Sequence, residues 1–130
     1  MDLGNKLVHQ WKCHGALIIA FDFDDTVSDF DKTFGNPALV GHVRNVLRRA
    51  KHMGHTLVCY TCRFKHDPEL VEFLQDQGLD TPYVNKSPVK TDGKLFYNVF
   101  LDDKCGLREA TDALEYALRE IENLKLQEQQ

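Results

Sequence analysis

The sequence predicts an α/β protein built on a mostly parallel sheet. Short apolar runs of strand length alternate with segments in which apolar residues recur at helical spacing. This alternation is typical of parallel strands joined by crossover helices. The chain has 130 residues, a length that fits one domain and buries enough surface to fold without disulfides. We therefore expect a single domain over residues 1–130, a Rossmann-like three-layer αβα sandwich.

Along the sequence, the first predicted helix lies between the first two predicted strands. Residues 16–21 form an apolar run that suits a strand buried on both faces. Asn36 and Pro37 predict the N-cap and the first residue of a helix, which Gly54 ends. Residues 56–61 (TLVCYT) are typical of a second buried strand.

The second half of the chain repeats the alternation. Asp67-Pro68 predicts the start of a helix that Gly78 ends, and short strands are expected at residues 83–85 and 99–101. A final amphipathic helix carries its apolar residues at Leu107, Ala110, Leu114, Ala117, Leu118, Ile121 and Leu124. Right-handed crossovers place the carboxyl ends of all the strands along one edge, where open α/β sheets bind ligands.

Composition narrows the class of protein. The formal net charge of -4 argues against a chain that coats nucleic acid by charge alone. No apolar stretch approaches the length that spans a bilayer, and the first residues lack the apolar core of a signal peptide. We expect a cytoplasmic protein without a membrane partner and with reduced cysteines. Cys59 and Cys62 form a C-x-x-C pair, but Cys59 lies inside a strand, which favours a core residue over a redox or zinc site.

Acidic residues follow two of the predicted strands. Strand side chains alternate between faces, so Asp22 and Asp24 should project the same way, and their charges repel. The fourth strand brings Asp102 and Asp103 to the same edge. Such an oxygen-rich site is the ligand set that Mg²⁺ prefers, and Mn²⁺ accepts it too.

Three of these segments resemble motifs of the haloacid-dehalogenase superfamily. DFDDT resembles the first motif, CYTCR the second and VFLDDK the fourth, in the family's order and across about residues 16–110. Most members are phosphatases. The resemblance implies a small phosphatase of the phage or bacterial type, with Mg²⁺ as its cofactor.

The resemblance implies a role for each acidic residue. Asp22 would attack phosphorus and form an aspartyl-phosphate, and Asp24 would act as general acid and then general base. The metal would be held by an Asp22 carboxylate oxygen, the backbone carbonyl of Asp24, and Asp102 or Asp103. Thr26 is expected to support the loop by hydrogen bonding.

Phosphate-binding residues are expected around the second motif. Thr61 would donate a hydrogen bond to a phosphoryl oxygen, and Arg63 would grip the phosphate through its planar guanidinium. The family's third motif is a lysine. We favour Lys94, which is nearest the last strand, and leave Lys86 and Lys90 open.

The substrate stays open at this stage. Only SDFDKTFGN separates the first motif from the first predicted helix, which is a flap and not a cap domain, so the site should be open. Phe30, Phe34 or Trp11 could shield the site or stack on a base, or simply pack against neighbours. We expect a phosphomonoester phosphatase acting on a small phosphorylated metabolite or nucleotide. A nucleotidase, a 3′-phosphatase acting on nucleic-acid ends and a non-catalytic binding module are alternatives, and a homo-oligomer is possible.

Overall fold

A computed structural model describes residues 2–28, 36–63, 66–93 and 95–129 of the chain. It is an α/β structure in which helices flank a parallel sheet, consistent with the predicted Rossmann-like three-layer sandwich. The elements, in chain order, are α1 (Leu3–His14), β1 (Ile18–Asp22), α2 (Pro37–His52), β2 (Thr56–Tyr60), α3 (Pro68–Asp76), β3 (Val99–Leu101) and α4 (Leu107–Glu128).

The three strands lie in the order β2-β1-β3, all parallel. In the central strand, Phe21 pairs with Cys59 on one side and with Leu101 on the other. These three side chains are fully buried and share one face of the sheet, where they join a hydrophobic core with residues from all four helices. On the opposite face Tyr60 and Phe100 meet edge to face, with ring centroids 5.9 Å apart.

The predicted third strand at residues 83–85 is wrong in length but right in position. Val84 forms one parallel bridge with Cys59 at the outer edge of β2. The Cys59 N–H donates to the Tyr83 carbonyl, and the Asn85 N–H donates to the Cys59 carbonyl, both at 2.9 Å. Asn85 then adopts a φ of 54°, a left-handed conformation that cannot continue a strand, so the pairing stops after one residue.

Helix α1 was not predicted from the sequence. Asp2 is its N-cap, accepting a hydrogen bond from the Asn5 N–H at 2.8 Å, and Gly15 ends it in the left-handed conformation. Only Leu7 and Val8 among its large apolar residues are buried, too few to produce a clear helical period.

The capping residues of the next two helices agree with the sequence prediction. The Asn36 side chain accepts a hydrogen bond from the Leu39 N–H at 3.1 Å, and Pro37 occupies the first turn. The Asp67 side chain accepts one from the Glu69 N–H at 3.0 Å.

Among the described residues, no helix has the length and apolar character needed to cross a membrane.

Candidate active site

Three carboxylates meet at the carboxyl edge of the sheet and form what we call the acidic cluster. Asp22 ends β1, and Asp102 and Asp103 follow β3 directly. Because Phe21 pairs with Leu101 in parallel register, Asp22 and Asp102 leave the sheet side by side. One carboxylate oxygen from each of the three residues lies within 4.8 Å of the other two. The sequence prediction that these residues share one edge is therefore supported by the geometry.

The position of Asp22 in the acidic cluster disfavours the ionised form of its carboxyl group. The pKa of Asp22 is raised from its ordinary value of 3.8 to about 6, most of all by burial and then by the neighbouring Asp102 and Asp103 charges. Its hydrogen bond with the Phe23 backbone acts in the opposite direction but is outweighed. A divalent cation would remove this repulsion, and three oxygen donors at this spacing fit Mg²⁺ or Mn²⁺.

A tight turn follows β1 and positions the second acidic residue of the first motif. The N–H groups of Val27 and Ser28 donate to the Phe23 carbonyl at 3.2 and 3.0 Å. Asp25 adopts a φ of 63°, which Asp tolerates better than most residues. Asp24 forms a bridge with Ser28, so it lies on the turn next to Asp22.

Thr26 ties this turn to the loop after β3. Its buried hydroxyl donates to an Asp103 carboxylate oxygen at 3.2 Å and accepts from the Asp103 N–H at 3.1 Å. This is the loop-supporting contact that the sequence analysis expected of Thr26. It fixes the spacing between the two halves of the acidic cluster.

Arg63 gathers a second set of carboxylates, which we call the arginine cluster. Its Nε and Nη2 donate to the two Asp24 carboxylate oxygens at 3.2 and 3.0 Å, a bidentate pair. Its Nη1 lies 3.4 Å from carboxylate oxygens of both Asp67 and Glu69. The guanidinium carbon lies 5.2 Å from the centre of the buried Phe23 ring. The hydrogen bonds with Asp24 raise the pKa of Arg63.

This pairing bears on two predicted site residues. The Asp24 carboxylate faces Arg63 and is not a member of the acidic cluster, so its predicted metal contact would come from the backbone carbonyl. Arg63 contacts carboxylates in this structure, and its predicted phosphate contact would require it to exchange at least one of them. The sequence does not indicate this pair, because the two residues lie 39 positions apart.

The predicted phosphate ligand Thr61 lies just beyond β2. Its hydroxyl oxygen accepts from the Arg63 N–H at 3.1 Å, and its own N–H donates to the Asn85 side-chain oxygen at 2.9 Å. The Asn85 amide group donates in turn to the Arg63 carbonyl at 3.3 Å. Asn85 therefore holds the loop that carries Thr61 and Arg63, a role that the sequence analysis did not assign. The available signal was an Asn at the end of the predicted strand 83–85.

The three lysine candidates differ in position. Lys94, the residue favoured from the sequence, lies outside the described residues. Lys86 and Lys90 are both exposed, and Lys86 lines the same cavity as Thr61 and Arg63. The identity of the lysine of the third motif stays a prediction.

The other residues considered from the sequence lie away from this edge of the sheet or outside the described residues. Phe30 and Phe34 lie in the segment 29–35, which is not among the described residues. Trp11 belongs to α1 and packs against the hydrophobic core. Cys59 is fully buried, and burial raises the pKa of its thiol to about 12, whereas Cys62 is exposed; neither forms a disulfide. Cys59 is thus the core residue that its position in a strand predicted.

Comparisons with known proteins bear on the fold. No protein-family model and no curated protein matches the chain. The chain is similar to a solved structure of a conserved protein coded by a locus from Bacteroides thetaiotaomicron. The TM-score is 0.53 at 26% sequence identity, covering 68% of this chain and 77% of that one. The similarity supports the α/β fold class.

Proposed function

We propose that this chain is a metal-dependent phosphomonoester phosphatase of the haloacid-dehalogenase type, with Asp22 as its nucleophile. The observation that carries the proposal is the acidic cluster at the carboxyl edge of a parallel sheet. Ligands bind at this edge in α/β folds, and paired acidic residues there suit divalent cations. The order of the three sequence motifs supports the same class.

The acidic cluster is the proposed metal site. Asp22, Asp102 and Asp103 would supply carboxylate oxygens, and Asp24 would add its backbone carbonyl. When bound, Mg²⁺ supplies positive charge that offsets the repulsion between Asp22 and a phosphate dianion. Burial and the neighbouring Asp102 and Asp103 charges raise the pKa of Asp22, and a bound cation would favour its ionised form.

The chemistry would proceed in two half-reactions. An Asp22 carboxylate oxygen attacks phosphorus, the bond from phosphorus to the ester oxygen breaks, and Asp24 gives its proton to the departing alkoxide. Water then attacks the phosphorus of the aspartyl-phosphate and loses a proton to Asp24. This step releases inorganic phosphate and regenerates both side chains. Asp24 can carry this proton once Arg63 releases one of its carboxylate oxygens, because both oxygens accept from the guanidinium in this structure.

Thr61 and a lysine would bind the phosphoryl oxygens. The Thr61 oxygen accepts from the Arg63 backbone, so its own hydroxyl hydrogen can be directed to a phosphoryl oxygen. Among the described lysines we favour Lys86 over Lys90 as the charge-neutralising residue, and Lys94, which lies outside the described residues, stays a candidate. Lys86 follows Asn85, which is tied to Thr61, and it shares a cavity with Thr61.

Hydrolysis of an aryl phosphate with added Mg²⁺, and again with excess chelator, tests the proposal. We expect metal-dependent turnover that falls by at least about 1,000-fold in Asp22→Asn, because the nucleophile is lost. Asp25→Asn is the matched control. It changes an acidic residue of the same turn outside the acidic cluster, and Asn tolerates the left-handed backbone there.

Two results would overturn the proposal. One is turnover by Asp22→Asn equal to that of the Asp25→Asn control. The other is Mg²⁺ binding by the unmodified chain without hydrolysis of any phosphomonoester in a broad panel. The second result would favour the non-catalytic binding module instead.

A further inference from the structure

A cavity of about 700 Å³ lies next to the proposed active site, beyond the outer edge of β2. One side of it is α3 and the other is the segment 80–86. Its apolar wall is formed by Leu70, Val71, Leu74, Pro82 and Val84. The volume is within the range of cavities that bind small organic ligands, roughly 300–1,000 Å³.

The rim of this cavity is the loop that carries the proposed phosphate ligands. Thr61 and Arg63 line both the site and the cavity, and Asn85 holds them in place. Lys86 adds a positive charge to the rim, which suits an ester whose phosphate is anionic, whereas the Arg63 charge is already balanced by the carboxylates of the arginine cluster. A molecule with its phosphate at the site would therefore extend its organic part along the apolar wall.

We propose that this cavity binds the alcohol part of the substrate, and that the substrates are nucleoside monophosphates. The inference rests on the proposed phosphatase function and names its substrate class. A small sugar phosphate would bring hydroxyl groups against the accessible apolar residues Val71, Pro82 and Val84, which offer them no hydrogen bonds. A nucleobase instead buries a flat ring against such a wall.

Polar groups of the cavity fit the rest of a nucleoside. Gln75 lines the cavity from α3 and carries both a donor and an acceptor, the combination that a nucleobase edge requires. Thr61 and Asn85 are at the rim, where a ribose would lie between base and phosphate. An aryl phosphate would contact the apolar wall but would form no hydrogen bond with Gln75. A higher kcat/KM for an aryl phosphate than for a nucleoside monophosphate would therefore count against the proposal.

Filling the cavity tests the proposal without changing a proposed catalytic residue. Val71 lies on the cavity wall and is 37% exposed, so Val71→Trp places an indole in the cavity at little cost to the core. Glu72→Trp is the matched control, because Glu72 is the next residue of α3, is exposed and does not line the cavity. We expect kcat/KM for nucleoside monophosphates to fall at least about tenfold in Val71→Trp only. The value for glycerol phosphate should stay within about twofold in both variants.

A second readout separates this inference from the proposed chemistry. Purine and pyrimidine nucleosides, which lack phosphate, are titrated into the unmodified chain and both variants while amide NMR shifts are followed. Shifts along α3 that disappear in Val71→Trp and persist in Glu72→Trp would support the cavity even if hydrolysis fails. Phosphatase activity without a preference for nucleotides, or nucleoside binding that both variants retain or both lose, would overturn the cavity proposal and leave the phosphatase proposal standing.

Discussion

The acidic cluster and the arginine cluster each bring three carboxylates to the same end of the sheet, but they differ in what balances the charge. The arginine cluster surrounds one guanidinium, which contacts all three of its carboxylates. In the part of the chain that the structure describes, no lysine or arginine forms an ion pair with a member of the acidic cluster.

This difference separates a positioning role from a binding role. Carboxylates paired with a cation of the protein are already stabilised and need no ligand. The Asp22 carboxylate has no such partner, and burial together with the neighbouring Asp102 and Asp103 charges raises its pKa to about 6. We infer that the arginine cluster orients Asp24, whereas the acidic cluster is built for an exogenous cation.

The largest expected effect is on the metal requirement of the acidic cluster. Asp102→Asn removes one charge and one strong oxygen donor, so we expect the Mg²⁺ concentration that gives half-maximal turnover to rise about 100-fold. Asp67→Asn is the control from the arginine cluster and should leave that concentration within about twofold. A greater shift in Asp67→Asn than in Asp102→Asn would reverse the assignment of the two clusters.

A smaller effect is expected on the stability of the arginine cluster. Arg63→Met leaves Asp24, Asp67 and Glu69 without their shared cation. The Arg63 side chain is only 20% exposed, so we expect a loss of about 1–3 kcal/mol in the free energy of unfolding by urea. Arg63→Lys keeps the charge but not the bidentate contact and should recover part of the loss. A stability unchanged in Arg63→Met would mean that the pairs contribute nothing to the fold.

The smallest expected effect is an increase in the free energy of unfolding when Asp22 is replaced. The pKa of Asp22 is about 6 in the folded chain against an ordinary value of 3.8, so ionisation costs free energy only in the folded state. That cost is absent below pH 3.8 and fully present above about pH 6. Asp22→Asn should therefore stabilise the metal-free protein by about 1–2 kcal/mol at pH 7.5, after allowance for solvent screening.

The pH dependence of this effect supplies its control. Urea unfolding of both proteins in chelator should give stabilities that converge as the pH falls from 7 toward 4, because Asp22 is then protonated in the folded state. Saturating Mg²⁺ should reverse the order, since only the unmodified chain keeps all its metal donors. An Asp22→Asn variant that is less stable than the parent in chelator at pH 7.5 would contradict the account of uncompensated charge.

Local sequence signals predicted much of the fold. Asn36 and Asp67 indicated the starts of two helices because side-chain capping depends on neighbours within three residues. Asp22 and Asp102 were assigned to one edge because parallel strands fix the direction in which each strand ends. Helix α1 was not predicted because its burial depends on packing against the distant α4 more than on the apolar pattern of its own residues.

Long-range side-chain geometry could not be predicted. The pairing of Arg63 with Asp24, and the support that Asn85 gives to Thr61, join residues 39 and 24 positions apart. Sequence spacing constrains neighbours on one element but not side chains that meet across loops. The cavity beside α3 also depends on the single bridge between Val84 and β2, which ends at the left-handed Asn85.

A calorimetric titration of the metal-free chain with Mg²⁺, repeated on Asp102→Asn, tests the central claim most directly. The account predicts one Mg²⁺ per chain, with binding weakened about 100-fold in the variant. Absence of binding at millimolar Mg²⁺, or equal affinity in the two proteins, would contradict the claim that the acidic cluster is a cation site.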